Sequence, residues 1–327
     1  MTLLLSDADV RAVLAWRPAV DALRAAYATA GDDGARYPGR SIARGDGSWL
    51  RVLPGVPGDG GLMGAKIIAA APRAGRVSYL IALFDQATTR LVALVDGNTV
   101  TGYRTAATSA LAADLLAVPG PLTVGVLGSG FEAGKHLRAI AAIRDVTSAR
   151  VYSPRAASRE RFAAEFATAG FPVASAASAE EAVGGAALVI CAARSRDESP
   201  ILLGEWLAPG MTVVSVGSTV PEQREVDPGT IARAGVIVAD VVGEVLHDTG
   251  DLIAARAAGT VADGRVASLA DLVSGAFAGR EDKEQIALYK SVGSAVQDLA
   301  VAAMCVRAAL DGGLGARAAV PVEVVLK

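Results

Sequence analysis

The sequence predicts an α/β protein: a Rossmann-type, doubly wound parallel sheet together with a discontinuous α+β domain. Three observations carry that prediction. After residue 119, short apolar strands alternate with helical stretches, the pattern of a parallel sheet covered by helices. The turn Gly128-Ser129-Gly130-Phe131-Glu132-Ala133 stands between the first of those strands and the next helix. Before Pro119-Gly120-Pro121 the chain reads differently, with neighbouring strands joined by short turns and followed by one helix.

A chain of 327 residues exceeds one average domain, so two are expected. With 52% hydrophobic and 20% charged residues it can bury a large core, which argues against disorder. The net charge is −3 with signs mixed and no basic run, which sets nucleic acid aside as a partner. Cys191 and Cys305 sit in apolar contexts and read as buried thiols rather than a disulfide. The short apolar run after Met1 has no basic flank and is interrupted by Asp7 and Asp9, unlike a signal peptide. No apolar stretch is long enough to span a membrane. A cytoplasmic location is expected.

Taken in order, residues 6–30 predict a helix capped by Ser6, with Val10, Val13, Leu14, Val20, Leu23 and Tyr27 on its apolar face. Residues 31–61 are rich in Gly, Asp and Pro and predict loops around short strands. Strands follow at 63–71, 79–85 and 90–96, the last two forming a hairpin through Gln86-Ala87-Thr88-Thr89. Thr101 is the expected cap of a helix to about Ala117. Beyond the proline break, strands are expected at 123–127, 149–153, 172–176, 187–193, 212–216 and 236–240, with helices such as 131–143 and 156–169. A final helical segment, roughly 283–312, carries the stripe Leu299, Ala303, Val306 and Leu310 and is expected to pack on the N-terminal half. The domains are therefore expected to be 1–118 with 300–327, and 119–299.

Gly128, Gly130 and Ala133 occupy the three positions of G-x-G-x-x-G/A. The first glycine permits a tight turn and the second lets backbone approach a pyrophosphate; a small third residue lets helix and strand pack closely. The anion then meets the unpaired N–H groups of a helix N-terminus. At the end of the second strand an NAD site usually places an acid for the ribose 2′-hydroxyl. Here the run is Val151-Tyr152-Ser153-Pro154-Arg155, followed by Arg159. Ser153, Arg155 and Arg159 would suit a 2′-phosphate, so NADP(H) is the preferred cofactor and NAD(H) the possible one; the alternative is solvated surface arginines.

Three of the cations that precede this domain suggest substrate binding. Arg40 follows Tyr37-Pro38-Gly39, Lys66 lies inside an apolar strand, and Arg104 falls in the first turn of the helix after Thr101. A lysine in such a strand binds a carboxylate, moves a proton at lowered pKa, or reaches solvent from a sheet edge. Arg104 opposes the helix dipole there, which implies either another benefit or a surface ion pair. His136 reads as a packed helix residue, and no metal-ligand spacing occurs.

At these residues the chain resembles the ornithine cyclodeaminase/μ-crystallin family. The resemblance covers nearly the whole chain, through Pro38-Gly39-Arg40, the Lys66 strand, LFDQATTRLVALVDGNTVTGYRTAATSALAADLLA, VGVLGSGFEAGKHLRAI, VGSTVPEQREVD, HDTGDL and LYKSVGSAVQDLAVAA. It implies an N-terminal substrate-binding and dimerisation domain, a Rossmann domain, a catalytic cleft between them and a homodimer. It also implies that Arg40, Lys66 and Arg104 hold a substrate carboxylate beside the nicotinamide, with Lys66 catalytic near the reacting carbon and nitrogen. Cofactor contacts would come from Gly128, Ser129, Gly130, Phe131, Glu132 and Ala133. Thr105, Ala192, Ala193, Gly217, Ser218, Thr219, Val292 and Gly293 would complete that set.

One departure matters. Cyclodeaminases of the family carry an Asp within the segment matching Val216–Pro221, where this chain has Thr219. A hydroxyl does not ionise at neutral pH and cannot serve as a carboxylate base. Cyclodeamination needs oxidation, cyclisation with ammonia loss and re-reduction. This chain is better suited to the single hydride step, reduction of the C=N bond of a cyclic imino acid or of a 2-oxo acid imine. The alternatives are a cyclodeaminase-type lyase in which another residue replaces the Asp, and a non-catalytic NADPH-dependent binding protein. Retention of all three cations argues against the latter.

Overall fold

A computed structural model of the chain describes residues 1–31, 34–193, 199–261, 264–319 and 322–325. Parts of the 31–61 loop reading and of both domain assignments lie outside those residues. In chain order the elements begin with β1 (Thr2–Leu5), α1 (Asp7–Val13), α2 (Trp16–Ala28), β2 (Ser41–Arg44) and β3 (Trp49–Gly55). Next come β4 (Leu62–Ala71), β5 (Arg76–Asp85), β6 (Leu91–Asp96), α3 (Gly97–Leu116), β7 (Leu122–Leu127) and α4 (Phe131–Ala141). These are followed by β8 (Val146–Tyr152), α5 (Ala156–Glu165), β9 (Val173–Ser175), α6 (Ala179–Val183), β10 (Leu188–Cys191) and β11 (Thr212–Ser215). Then come α7 (Pro228–Arg233), β12 (Ala234–Ala239), α8 (Val242–Asp248), α9 (Gly250–Ala257), β13 (Val266–Ser268) and α10 (Leu269–Ser274). The last are β14 (Ile286–Lys290), α11 (Ala295–Asp311) and β15 (Ala316–Ala318).

The chain divides into two compact units, residues 1–108 with 293–327 and residues 109–292. The first division falls inside α3, so the proline break that ends this helix does not mark it. In unit 1 the strand order is β15-β1-β6-β5-β4-β3-β2. Its pairings are antiparallel except β1 with β6. Leu53, Lys66, Ile81 and Val95 stand opposite one another on adjacent strands and are all buried. Helix α11 packs against β3, β4, β5 and α2.

Unit 2 is a Rossmann-type doubly wound sheet. Its order is β13-β12-β14-β11-β10-β7-β8-β9, parallel throughout. From β7 the chain runs outward to β8 and β9, then returns to β10 on the other side. That reversal is a topological switch point, where ligands of such sheets sit outside the carboxyl ends of the strands.

Several sequence expectations need correction. The 6–30 helix is two helices, α1 and α2, with extended backbone at Leu14 and Ala15. Pro18 explains the break: it has no N–H for the carbonyl of Leu14, and its ring would crowd that carbonyl. Helix α3 starts at Gly97, after Asp96 Oδ1 accepts from Asn98 N at 2.9 Å. Thr101 is therefore interior, its hydroxyl donating to Gly97 O at 2.7 Å, and Arg104 lies beyond the first turn, so it does not oppose the terminal dipole. Residues 286–290 are strand, not helix. All five are buried between β11 and β12, and an apolar run covered on both faces shows no period to separate it from a helix. In α11, Leu299 and Val306 are buried, but Leu310 is 43% exposed.

Candidate active site

The phosphate-type turn in unit 2 follows from its glycines. Gly128, at the end of β7, has φ +112° and donates its N–H to Tyr152 O at 2.8 Å. A Cβ there would lie 2.7 Å from Ala192 O, so only glycine fits. At Gly130, the N-cap of α4, a Cβ would meet nothing within 4 Å. Space inside the protein does not require that glycine, whereas close approach by a ligand does. No side chain caps α4, and Ala133 is fully buried against the sheet side. These features fit a dinucleotide pyrophosphate at the helix terminus.

At the end of β8, Ser129 Oγ and Ser153 Oγ lie 2.8 Å apart. Arg159 is committed to structure: Nη1 donates to Ser153 O at 2.8 Å and Nε to Ser175 Oγ at 3.0 Å. Arg155 is exposed at the N-cap of α5. Ala192 and Ala193 follow β10, Gly217, Ser218 and Thr219 follow β11, and Val292, whose N–H donates to Asp240 Oδ1 at 3.0 Å, follows β14. Thr105 lies in the unit 1 part of α3, and its hydroxyl is bound to Thr101 O at 2.8 Å.

Unit 1 gathers the cations. Lys66 is 1% exposed on β4, an interior strand, which excludes the edge-lysine alternative. Its Nζ donates to Asp298 Oδ1 at 2.6 Å. Arg104, 7% exposed, forms an ion pair with the same oxygen through Nε at 2.9 Å, outside hydrogen-bond angles, and donates from Nη1 to Gln297 Oε1. Gln297 Nε2 in turn donates to Tyr27 OH at 2.9 Å. Arg40 Nη2 donates to Gly293 O at 2.9 Å. Gly293 has φ +85°, and a Cβ on it would fall 2.4 Å from Arg104 Nη1. The left-handed backbone favours glycine there, and its missing side chain leaves room for the Arg104 guanidinium.

Asp298, Gln297 and Tyr27 were not among the sequence candidates. A signal existed for Asp298: an acid within the apolar run SAVQDLAVAA, matching the unpartnered lysine in MGAKIIAAA, since buried charges pair. Burial, reinforced by the Arg104 charge, lowers the Lys66 pKa to about 7 against the pull of Asp298. Lys66 and Arg104 share one carboxylate oxygen, so with Lys66 protonated the two cations exceed the Asp298 charge. Such an arrangement is suited to an anion, and Lys66 is poised to hold or release a proton near neutrality.

His136 is fully buried, its ring between Glu132 O at 2.7 Å and Ser109 Oγ at 3.0 Å, with burial lowering its pKa to about 4. It is a packed residue. Cys191 and Cys305 are free and buried. Among the described residues no helix is long and apolar enough to cross a membrane.

The chain thus joins a unit built to hold a dinucleotide to one that buries an anion-seeking cation group. It belongs to the ornithine cyclodeaminase/mu-crystallin family, whose model matches residues 3–313. It is 30% identical over 295 residues to the ketimine reductase mu-crystallin of Mus musculus, covering 87% of this chain and 89% of that one. It is similar to the structure of Thermococcus litoralis Δ1-pyrroline-2-carboxylate reductase in complex with NADH and L-proline. That match has 28% identity and TM-score 0.89, and covers 97% of this chain and all of the other. It also resembles a probable ornithine cyclodeaminase from Bordetella pertussis, at 31% identity and TM-score 0.87 over 97% of this chain and 100% of that one.

Proposed function

We propose that this protein reduces the C=N bond of small cyclic imino acids or of 2-oxo acid imines, with NADPH preferred over NADH. The observation that carries the reading is the buried Lys66–Asp298–Arg104 group, in which two cations share one carboxylate oxygen. The names of the mouse and Thermococcus relatives support the reaction class. Gly128 to Ala133 would hold the pyrophosphate, with Ser153 and Arg155 on a 2′-phosphate. When bound, the reduced nicotinamide supplies a hydride. Arg40 and Arg104 would anchor the substrate carboxylate. Lys66 would polarise the C=N bond and hand a proton to nitrogen, a role its lowered pKa suits. Thr219, lacking a carboxylate, favours this single step over cyclodeamination.

The experiment is NADPH oxidation at substrate saturation with Δ1-pyrroline-2-carboxylate and Δ1-piperideine-2-carboxylate, alongside ammonia release from ornithine. Turnover of an imine without ammonia release is expected. Binding of NADPH without turnover, or ammonia from ornithine, overturns the assignment. Arg155→Ala should raise KM for NADPH roughly three- to tenfold and spare NADH, the loss of one exposed charge-assisted contact. An unchanged NADPH/NADH ratio would remove the cofactor preference.

A homodimer belongs to the same reading. Leu50, Val52, Ile67, Ala69 and Leu80 lie on the sheet face opposite the one α11 packs against, with Leu50 44% and Leu80 40% exposed. An apolar face of this kind fits a second copy of the chain. Leu80→Glu should convert the dimer to monomer in light scattering; a wild-type monomer, or a variant that stays dimeric, counts against it.

A further inference from the structure

At the carboxyl edge of the unit 2 sheet four buried polar residues close a ring that has no part in the proton or hydride transfer. Glu225 Oε1 accepts from Ala193 N at 2.8 Å, and its Oε2 accepts from Gly217 N at 2.6 Å and Ser215 Oγ at 3.0 Å. Ser215 Oγ accepts in turn from Lys290 Nζ at 3.0 Å, and Lys290 pairs with Asp251 Oδ2 at 2.7 Å. Asp251 Oδ1 closes the ring on the backbone of Glu225 and Val226, at 2.6 and 3.1 Å. Glu225, Ser215, Lys290 and Asp251 are each fully buried.

Burying two carboxylates with one ammonium is costly, and such groups persist where they fix a geometry. The geometry here is definite. Ala193 and Gly217 each lie two residues past the ends of β10 and β11, so one carboxylate ties the two strand exits together. A Cβ on Gly217 would fall 2.1 Å from Glu225 Oε1, so the glycine is there for the clamp. Ala192, next to the clamped amide, is the residue whose carbonyl lies against Gly128 of the phosphate-type turn. Three donors and the nearby Lys290 all favour the ionised carboxyl, while burial and the Asp251 charge hold its pKa up to about 7.

We infer that Glu225 is a positioning residue for the nicotinamide half of the dinucleotide site, holding the exits of β10 and β11 at a fixed separation beside the phosphate turn. The inference rests on the reading that a dinucleotide lies over the carboxyl ends of these strands. A Gln at 225 offers only one acceptor oxygen and no charge to Lys290, so one of the two strand exits is released.

The test measures Kd on the full-length protein for NADPH and for 2′-phospho-ADP-ribose, which lacks the nicotinamide. Glu225→Gln should weaken NADPH about tenfold, the effect of one buried charged hydrogen bond, and leave the fragment within about twofold. Gly217→Ala, which displaces the same carboxylate, should do likewise, and the double variant should be no worse than either alone. Equal loss for both ligands, no loss, or additive effects overturn the positioning role. If Glu225→Gln does not fold, Ser215→Ala, which removes a donor to the same carboxylate and its link to Lys290, decides by the same comparison. Wild-type protein that binds neither NADPH nor the fragment would instead overturn the underlying cofactor reading.

Discussion

Lys66→Ala is expected to lower kcat for imine reduction by roughly 10²–10⁴-fold, the range for loss of a positioned general acid, while leaving Kd for NADPH unchanged. The split follows from the division of labour. Lys66 lies on β4 of unit 1, and the phosphate-type turn lies between β7 and α4 of unit 2. Asp298 keeps Arg104 as an ion-pair partner when the lysine is removed, so the carboxylate is not stranded. Steady-state kinetics with fluorescence titration of NADPH checks both halves. A variant that keeps more than a tenth of wild-type kcat removes Lys66 from the chemistry.

Asp298→Asn should also be damaging, to a smaller extent and by a different route. Its Oδ1 receives both Lys66 and Arg104. Removing its charge takes away what holds the Lys66 pKa up against burial and the neighbouring arginines, so that pKa moves below 7. At neutral pH Lys66 is then mostly deprotonated, and kcat should fall about tenfold or more, with partial recovery as the pH is lowered. Leaving buried cations short of a partner should also cost about 3 kcal/mol of stability, measurable by urea unfolding. A variant with the wild-type pH profile would assign Asp298 a packing role only.

Much of the fold was legible because its signals are local. The alternation of strand and helix after residue 119 and the Gly128–Ala133 turn predict the doubly wound sheet, and the structure has it. What was missed depended on long-range context. Ile286–Lys290 is covered on both faces, so its apolar run carries no period, and only pairing with β11 and β12 makes it strand. Pro18 acts four residues upstream of itself, at Leu14, which divides a helix that periodicity alone would continue. Lys66, Arg40 and Arg104 were visible as cations in unexpected places. Asp298 shows in the sequence only as an acid in an apolar run; its pairing with Lys66 across 232 residues is set by the packing of α11 on β4. The same holds for Glu225, an unremarkable acid until the strand exits it clamps are placed on either side.

The most direct measurement is kcat for reduction of Δ1-pyrroline-2-carboxylate as a function of pH at saturating NADPH. If a lysine buried among arginines and one aspartate donates the proton, kcat is high below about 7, where Lys66 is charged, and falls tenfold per pH unit above it. A profile flat across neutrality, or one that rises with pH, would contradict the account.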